Sequence, residues 1–116
     1  MNFSYQKTND GKYIIYGLND IKDNNLFFLE LYNRFERAVM AYGFLKNNKK
    51  LTVLELENSL KQQGYYENAS TIETIRKTRN ILAHGSNPAF TINIEMIKTL
   101  ASLIIDREQK IEKLKN

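Results

Sequence analysis

The 116-residue chain is predicted to be all-α, an antiparallel four-helix bundle with a β-hairpin at its N-terminal end. Three observations lead there. Apolar residues recur at three- and four-residue steps over long segments. Helix-capping signatures stand ahead of several of those segments. The connections are short and marked by Gly, Asn or Pro, which is how antiparallel neighbouring helices are joined. Repeats, low-complexity tracts and linkers are absent from the sequence, so one helical domain over 20–116 is expected, preceded by an extension over 1–19.

The extension carries Phe3, Tyr5, Tyr13, Ile14, Ile15 and Tyr16 on either side of Asn9-Asp10-Gly11. Two short β-prone runs around an Asp-Gly turn predict a hairpin. A lone hairpin is marginal in water, so it is expected to pack on the bundle or on another subunit. Its tyrosines can also stack on bases, although packing is the commoner use of such residues.

The first helix is expected from about Asp20 to Lys46, capped by Asp20 or Asp23. Phe28, Leu31, Tyr32, Phe35, Ala38, Val39, Tyr42 and Leu45 form its apolar stripe. Lys46-Asn47-Asn48-Lys49-Lys50 then reads as a solvated loop. Thr52-Val53-Leu54-Glu55 is a capping box, with Leu51 and Leu56 spaced for a hydrophobic staple. That second helix runs to about Gln63 and stops at Gly64. A further box, Ser70-Thr71-Ile72-Glu73, predicts the start of the third helix, which Gly85 closes. Ser86-Asn87-Pro88 is a loop, because proline cannot continue a helix. Asn93 caps the last helix, which places Ile94, Ile97, Leu100, Ala101, Leu103 and Ile104 in phase. Its end, from Asp106 to Asn116, is mostly charged and is expected to project or to meet a partner, with fraying at the terminus.

Composition is that of an ordinary globular domain, 42% hydrophobic and 26% charged. Without cysteine there is neither a disulfide nor a thiolate metal site. Met1-Asn2-Phe3-Ser4 has neither the basic start nor the apolar run of a signal peptide, and no apolar stretch is long enough for a bilayer. A cytoplasmic protein without membrane association is expected. The net charge of +4, from 17 basic and 13 acidic residues, is a mild bias compatible with a polyanionic partner.

The densest concentration of chemistry is Ile75-Arg76-Lys77-Thr78-Arg79-Asn80-Ile81-Leu82-Ala83-His84-Gly85, which holds the chain's single histidine. At 100° per residue, Ile72, Ile75 and Leu82 fall on one stripe and Arg79 falls between Ile72 and Ile75. An unpaired charge in a core is expensive, so Arg79 must have a partner or line a cleft or a subunit seam. Asn80 and His84, four residues apart, share a neighbouring face. Basic groups in a last helical turn also complement the macrodipole with no further role. That does not explain an arginine on the apolar stripe.

Arg79-Asn80-Ile81-Leu82-Ala83-His84 resembles the Arg-x4-6-His signature of HEPN domains, in the form Arg-Asn-x-x-x-His. HEPN domains are small helical bundles found in toxin–antitoxin ribonucleases, abortive-infection proteins and CRISPR-associated RNA-cleaving effectors. The resemblance spans roughly residues 20–115. It implies a metal-independent endoribonuclease without a cofactor, acting on RNA as a homodimer with a composite site, in toxin–antitoxin function or antiviral defence. A cognate antitoxin or regulatory protein is an implied partner. The catalytic candidates are then Arg79, Asn80 and His84. Arg76 and Lys77 are candidates to guide the phosphate backbone, and Glu36 is a candidate partner for Arg79. Glu36 has a competing reading as an exposed side chain between Arg34 and Arg37.

The chemistry suits these residue types. RNA carries its own nucleophile, the 2′-hydroxyl. Histidine titrates near neutrality and can act as acid or base, while arginine can grip two phosphate oxygens. One histidine does not easily do both proton transfers, which HEPN ribonucleases solve by pairing two motifs across a dimer seam. With one histidine, no cysteine and no spaced carboxylates, the chain shows no metal site. Toxins of HEPN/MNT pairs often carry a tyrosine two positions after the histidine, where this chain has Ser86, so control by adenylylation at that position is not expected. The alternative reading is a catalytically silent HEPN-like module that binds nucleotide, RNA or a protein.

Overall fold

The computed structural model describes residues 3–85 and 91–116. Over that range the chain is mostly helical with a small two-stranded sheet. Strands β1 (Ser4–Lys7) and β2 (Tyr13–Tyr16) are followed by helices α1 (Asn24–Asn47), α2 (Val53–Gln62), α3 (Tyr66–Ala83) and α4 (Ile94–Lys115). The expected loop at Ser86-Asn87-Pro88 lies outside the described residues. No described helix is long and apolar enough to cross a membrane.

The helices pack as two pairs, α1 with α4 and α2 with α3, joined through contacts of α1 with α2 and α3. One core results. Phe28, Leu31, Phe35 and Val39 of α1 meet Ile97, Leu100 and Ile104 of α4, Ile72 and Ile75 of α3, and Val53 and Leu56 of α2.

The strands pair antiparallel, with Ser4 opposite Tyr16 and Lys7 opposite Tyr13. Asp10 organises their loop: its Oδ1 accepts from the Lys12 amide at 3.2 Å and from the Thr8 hydroxyl. Gly11 takes φ +85, which a side chain would strain. The hairpin is bound to the helices rather than free. Phe3 is buried in the shared core. Arg34 of α1 donates to the Phe3 carbonyl at 2.9 Å and forms a two-pronged pair with Glu108 of α4 at 2.7 and 2.8 Å. The Tyr5 hydroxyl donates to the same carboxylate at 3.0 Å. The charged end of α4 is therefore docked only at its start, where Arg34 and Tyr5 meet Glu108 and Arg107 is buried, while residues 112–116 are exposed.

Asp23 caps α1, accepting from the Leu26 amide at 3.1 Å. Asn48 ends it at φ +55, a left-handed cap. Leu45, expected on the core stripe, is instead exposed. Its direction lies about 120° from that of Val39 on the helical wheel, on the outer side of α1. Gly43 is buried where the loop returns: a methyl group there would overlap Leu51 Cβ and lie 2.9 Å from both the Lys49 carbonyl oxygen and the Leu51 amide nitrogen.

The Thr52–Glu55 capping box forms in both directions at 3.1 Å, and Leu51 and Leu56 of the staple both pack on the core. Helix α2 ends in a Schellman turn, with the Tyr65 amide donating to Leu60 O at 2.8 Å and the Gly64 amide to Lys61 O at 3.1 Å. This turn overrides the Ser70 box. The chain leaves Gly64 (φ +87) already set to wind again, so α3 begins at Tyr66 and not at Ser70. The extra turn buries Ala69, and Glu73 is taken by Lys61 and Lys77 in place of a cap. Asn93 caps α4, accepting from the Met96 amide at 2.9 Å. Just before it, Ile92 is clamped to the start of α1: Asn24 donates to its carbonyl and its amide donates to Asn25, both at 2.8 Å.

The crowding at Gly43 leads to a direct expectation. Gly43→Ala should destabilise the fold by about 1–3 kcal/mol, because backbone must move to admit the methyl. A urea-unfolding midpoint equal to that of wild type would show the loop to be more compliant than its packing indicates.

Candidate functional site

The site is built where α1, α2 and the second half of α3 meet. Helix α3 presents Ile72 and Ile75 to the core, and the same rotation turns Arg79 inward, as the stripe pattern requires. Arg79 is half-buried, with its guanidinium 5.5 Å from the centre of the Tyr32 ring on α1. Its Nη1 donates to Asn80 Oδ1 at 3.3 Å. The partner demanded by the off-pattern charge is thus an aromatic face and a neighbouring amide. Glu36 is half-buried, but no ion pair joins it to Arg79 among the described residues. Both instead act on the Tyr32 hydroxyl. Burial first, then Glu36, pushes that hydroxyl up to about 12, while Arg79 and Arg76 pull it down.

Arg76 is committed elsewhere. It forms a two-pronged pair with Glu57 of α2, Nη2 to Oε1 at 3.2 Å and Nε to Oε2 at 2.5 Å. Glu57 is fully buried. The hydrogen bonds to Glu57 hold the Arg76 guanidinium above its ordinary pKa. The fork that was expected to guide a phosphate is filled by a carboxylate, so Arg76 works as a tie between α2 and α3. Lys77 is exposed and bonds Glu73 at 3.0 Å, sharing it with Lys61 at 3.2 Å. Of the three cations on this stretch, Arg79 alone has no carboxylate within ion-pair distance among the described residues.

His84 is the C-cap of α3, its amide donating to Asn80 O at 3.2 Å, and Gly85 follows at φ +59 as a left-handed cap. The imidazole is exposed and makes no hydrogen bond among the described residues. Asn80 and His84 lie on one flank of the helix, whereas Arg79 and His84, five residues apart, leave it in directions about 140° apart. Asn80 therefore connects to both, by a side-chain bond to Arg79 and a backbone bond to His84. Ser86 lies outside the described residues. Among the described residues no group of three His, Cys, Asp or Glu side chains is placed to hold a metal ion.

Two residues of this site were not singled out in the sequence: Tyr32, taken as ordinary core, and Glu57. The second carried a readable signal. On the α2 wheel Glu57 lies about 40° from Val53, at the edge of the buried face, the same anomaly that marks Arg79.

No protein-family model, characterised protein or solved structure matches this chain. What the site can do therefore rests on its own chemistry: a half-buried arginine held by Tyr32 and Asn80, and an exposed histidine on another flank of the same helix.

Arg76→Met should cost about 3–5 kcal/mol, since it leaves the Glu57 charge buried and unpaired, and Glu57→Leu/Arg76→Met should recover most of that. Urea unfolding of both variants tests this; a double variant no more stable than the single one would mean that the pair is not the source of the loss.

Tyr32 gives the site a pH signature. The folded protein holds the Tyr32 proton more tightly than the unfolded chain, so its contribution is complete below the ordinary value of 10.0 and is lost as pH rises toward about 12. Unfolding midpoints should fall over that interval, and fall less in Tyr32→Phe.

Proposed function

We propose that this protein is a HEPN-like endoribonuclease, an antiparallel helical bundle that cleaves RNA without a metal ion and acts as a homodimer. The observation that carries this reading is the state of Arg79. It is the one cation of its stretch with no carboxylate partner among the described residues, and it shares the last turns of α3 with Asn80 and His84 in the order Arg-Asn-x-x-x-His.

In this mechanism the 2′-oxygen attacks the adjacent phosphorus while the bond from phosphorus to the 5′-oxygen breaks. One histidine takes the 2′-hydroxyl proton and a second supplies a proton to the departing 5′-oxygen. The products are a 2′,3′-cyclic phosphate and a 5′-hydroxyl. Arg79 neutralises the charge that gathers on the non-bridging oxygens, which an already oriented guanidinium does without reorganising. Asn80 keeps that guanidinium in place, and Lys77 can meet a flanking phosphate. Arg76 acts at one remove, by fixing α3 against α2 through Glu57. Because each chain has one histidine, the acid and the base come from two copies. Toxin–antitoxin function or antiviral defence is the biological setting such an enzyme fits.

A second reading, a non-catalytic module that binds nucleotide, RNA or a protein through Arg79, is favoured by one observation. The His84 imidazole has no partner in the protomer to set its tautomer or aim, among the described residues.

The deciding experiment is cleavage of a mixed-sequence RNA with EDTA present. Wild type should leave cyclic-phosphate ends. His84→Ala should lose about 10²–10⁴-fold in rate as an acid–base group is removed. Arg79→Ala should lose about 10²–10³-fold as a charge-stabilising donor is removed. Binding without cleavage by all three favours the module, and full activity in a monomer, or activity abolished by the chelator, overturns the mechanism.

A further inference from the structure

Helix α1 has a second apolar stripe that the fold does not use. Its core stripe ends with Phe35 and Val39, while Met40, Phe44 and Leu45 lie on the opposite side and are 42%, 53% and 47% exposed. Met40 and Phe44, four residues apart, stack on one face of the helix, and Leu45 flanks them about 100° on from Phe44. A helix that is apolar on two sides is normally covered on both. Here these side chains line a groove of about 480 Å³ whose rim is formed by Arg37, Lys50 and Lys115. No acidic residue lines it, and none of the three rim cations makes an ion pair among the described residues.

We propose that this groove docks an acidic amphipathic helix of a partner protein. A concave apolar strip between cations fits a helix that carries leucine-like side chains on one face and carboxylates along its flanks. The charge of the rim selects among occupants. A second copy related by a two-fold axis would set Arg37, Lys50 and Lys115 against like charges, which disfavours self-docking. A lipid surface also offers negative charge, and docking there would show as binding to phosphatidylglycerol vesicles. The proposal uses neither Arg79 nor His84, so it stands whether or not the protein cleaves RNA.

The test uses the full chain and two labelled peptides with the same leucine face, one flanked by glutamate and one by lysine. Fluorescence anisotropy should show the acidic peptide binding at least about tenfold more tightly than the basic one, with the preference weakened by salt. Phe44→Ser, at an exposed position, should leave the unfolding midpoint unchanged and weaken binding of the acidic peptide about tenfold or more. Lys50→Glu/Lys115→Glu should invert the preference between peptides. Amide shifts on adding the acidic peptide should centre on Met40, Phe44 and Leu45. Equal binding of both peptides, or indifference to Phe44→Ser, overturns the proposal. So does Phe44-dependent sedimentation with phosphatidylglycerol vesicles in the absence of peptide binding, and so does Phe44-dependent self-association.

Discussion

A carboxylate with no access to water is the constraint on which the site region depends. Glu57 is fully buried on a ten-residue helix, and helices that short are marginal in isolation. Its charge has to be met from inside the protein, and Arg76 meets it with two hydrogen bonds. Satisfying Glu57 therefore fixes how α2 lies against α3 and how α3 is rotated about its own axis. Because Arg79 stands three residues after Arg76, the same rotation sets its guanidinium against Tyr32 on α1. The ion pair is weak evidence for net stability, since exchanging both charges for apolar groups often costs little. What it does is orient α3, and with it the guanidinium of Arg79.

The protein handles its other inward-facing arginines in a related way. Arg34 lies 4.5 Å from the centre of the Phe3 ring, and Arg107 lies 4.8 Å from that of Tyr42. A guanidinium is weakly hydrated and flat, so an aromatic face compensates part of what burial removes. The three differ in what else they hold. Arg34 has the Glu108 carboxylate and joins α1, α4 and the hairpin. Arg107 has no carboxylate bond among the described residues, and burial lowers its pKa, the mark of a cation enclosed by the fold. Arg79 lies between these cases: it has a ring and an amide, no carboxylate among the described residues, and partial access to solvent. Only this combination leaves a charge that is oriented and still open to a ligand.

The features legible in the sequence are those decided within a few residues. The caps at Asp23, Thr52 and Asn93, the Gly64 and Gly85 stops and the hairpin all depend on local backbone chemistry, and all are present. The Ser70 box failed because a stronger local device, the Schellman turn at Gly64, restarts the helix before Ser70 is reached. Leu45 was misplaced for a different reason: which face of a helix is covered depends on partners distant in sequence. Arg76 shows the same limit. Its type and neighbours suit a phosphate, yet its hydrogen bonds go to a residue nineteen positions away. Periodicity did identify Arg79, because a charge on an apolar stripe is an anomaly in one dimension as well as in three. Applied to α2, the same criterion picks out Glu57. Two off-pattern charges of opposite sign on consecutive helices are a pairing signal in their own right.

The spacing of the motif bears on how a cleaving site could be assembled. Arg79 faces inward and across to α1, while His84 sits in the cap on a flank about 140° away. A phosphate gripped by Arg79 is thus turned away from the histidine of the same helix. A histidine brought by a second copy has no such restriction, because its approach is set by the seam and not by the pitch of α3. Exposure of His84 is then what a shared site needs: an imidazole pinned inside its own protomer would be of no use to the other copy. Docking would also supply what His84 lacks in one protomer, a hydrogen-bonding partner that fixes its tautomer. On this view the five-residue step from arginine to histidine separates the two groups within one chain so that they can meet between chains.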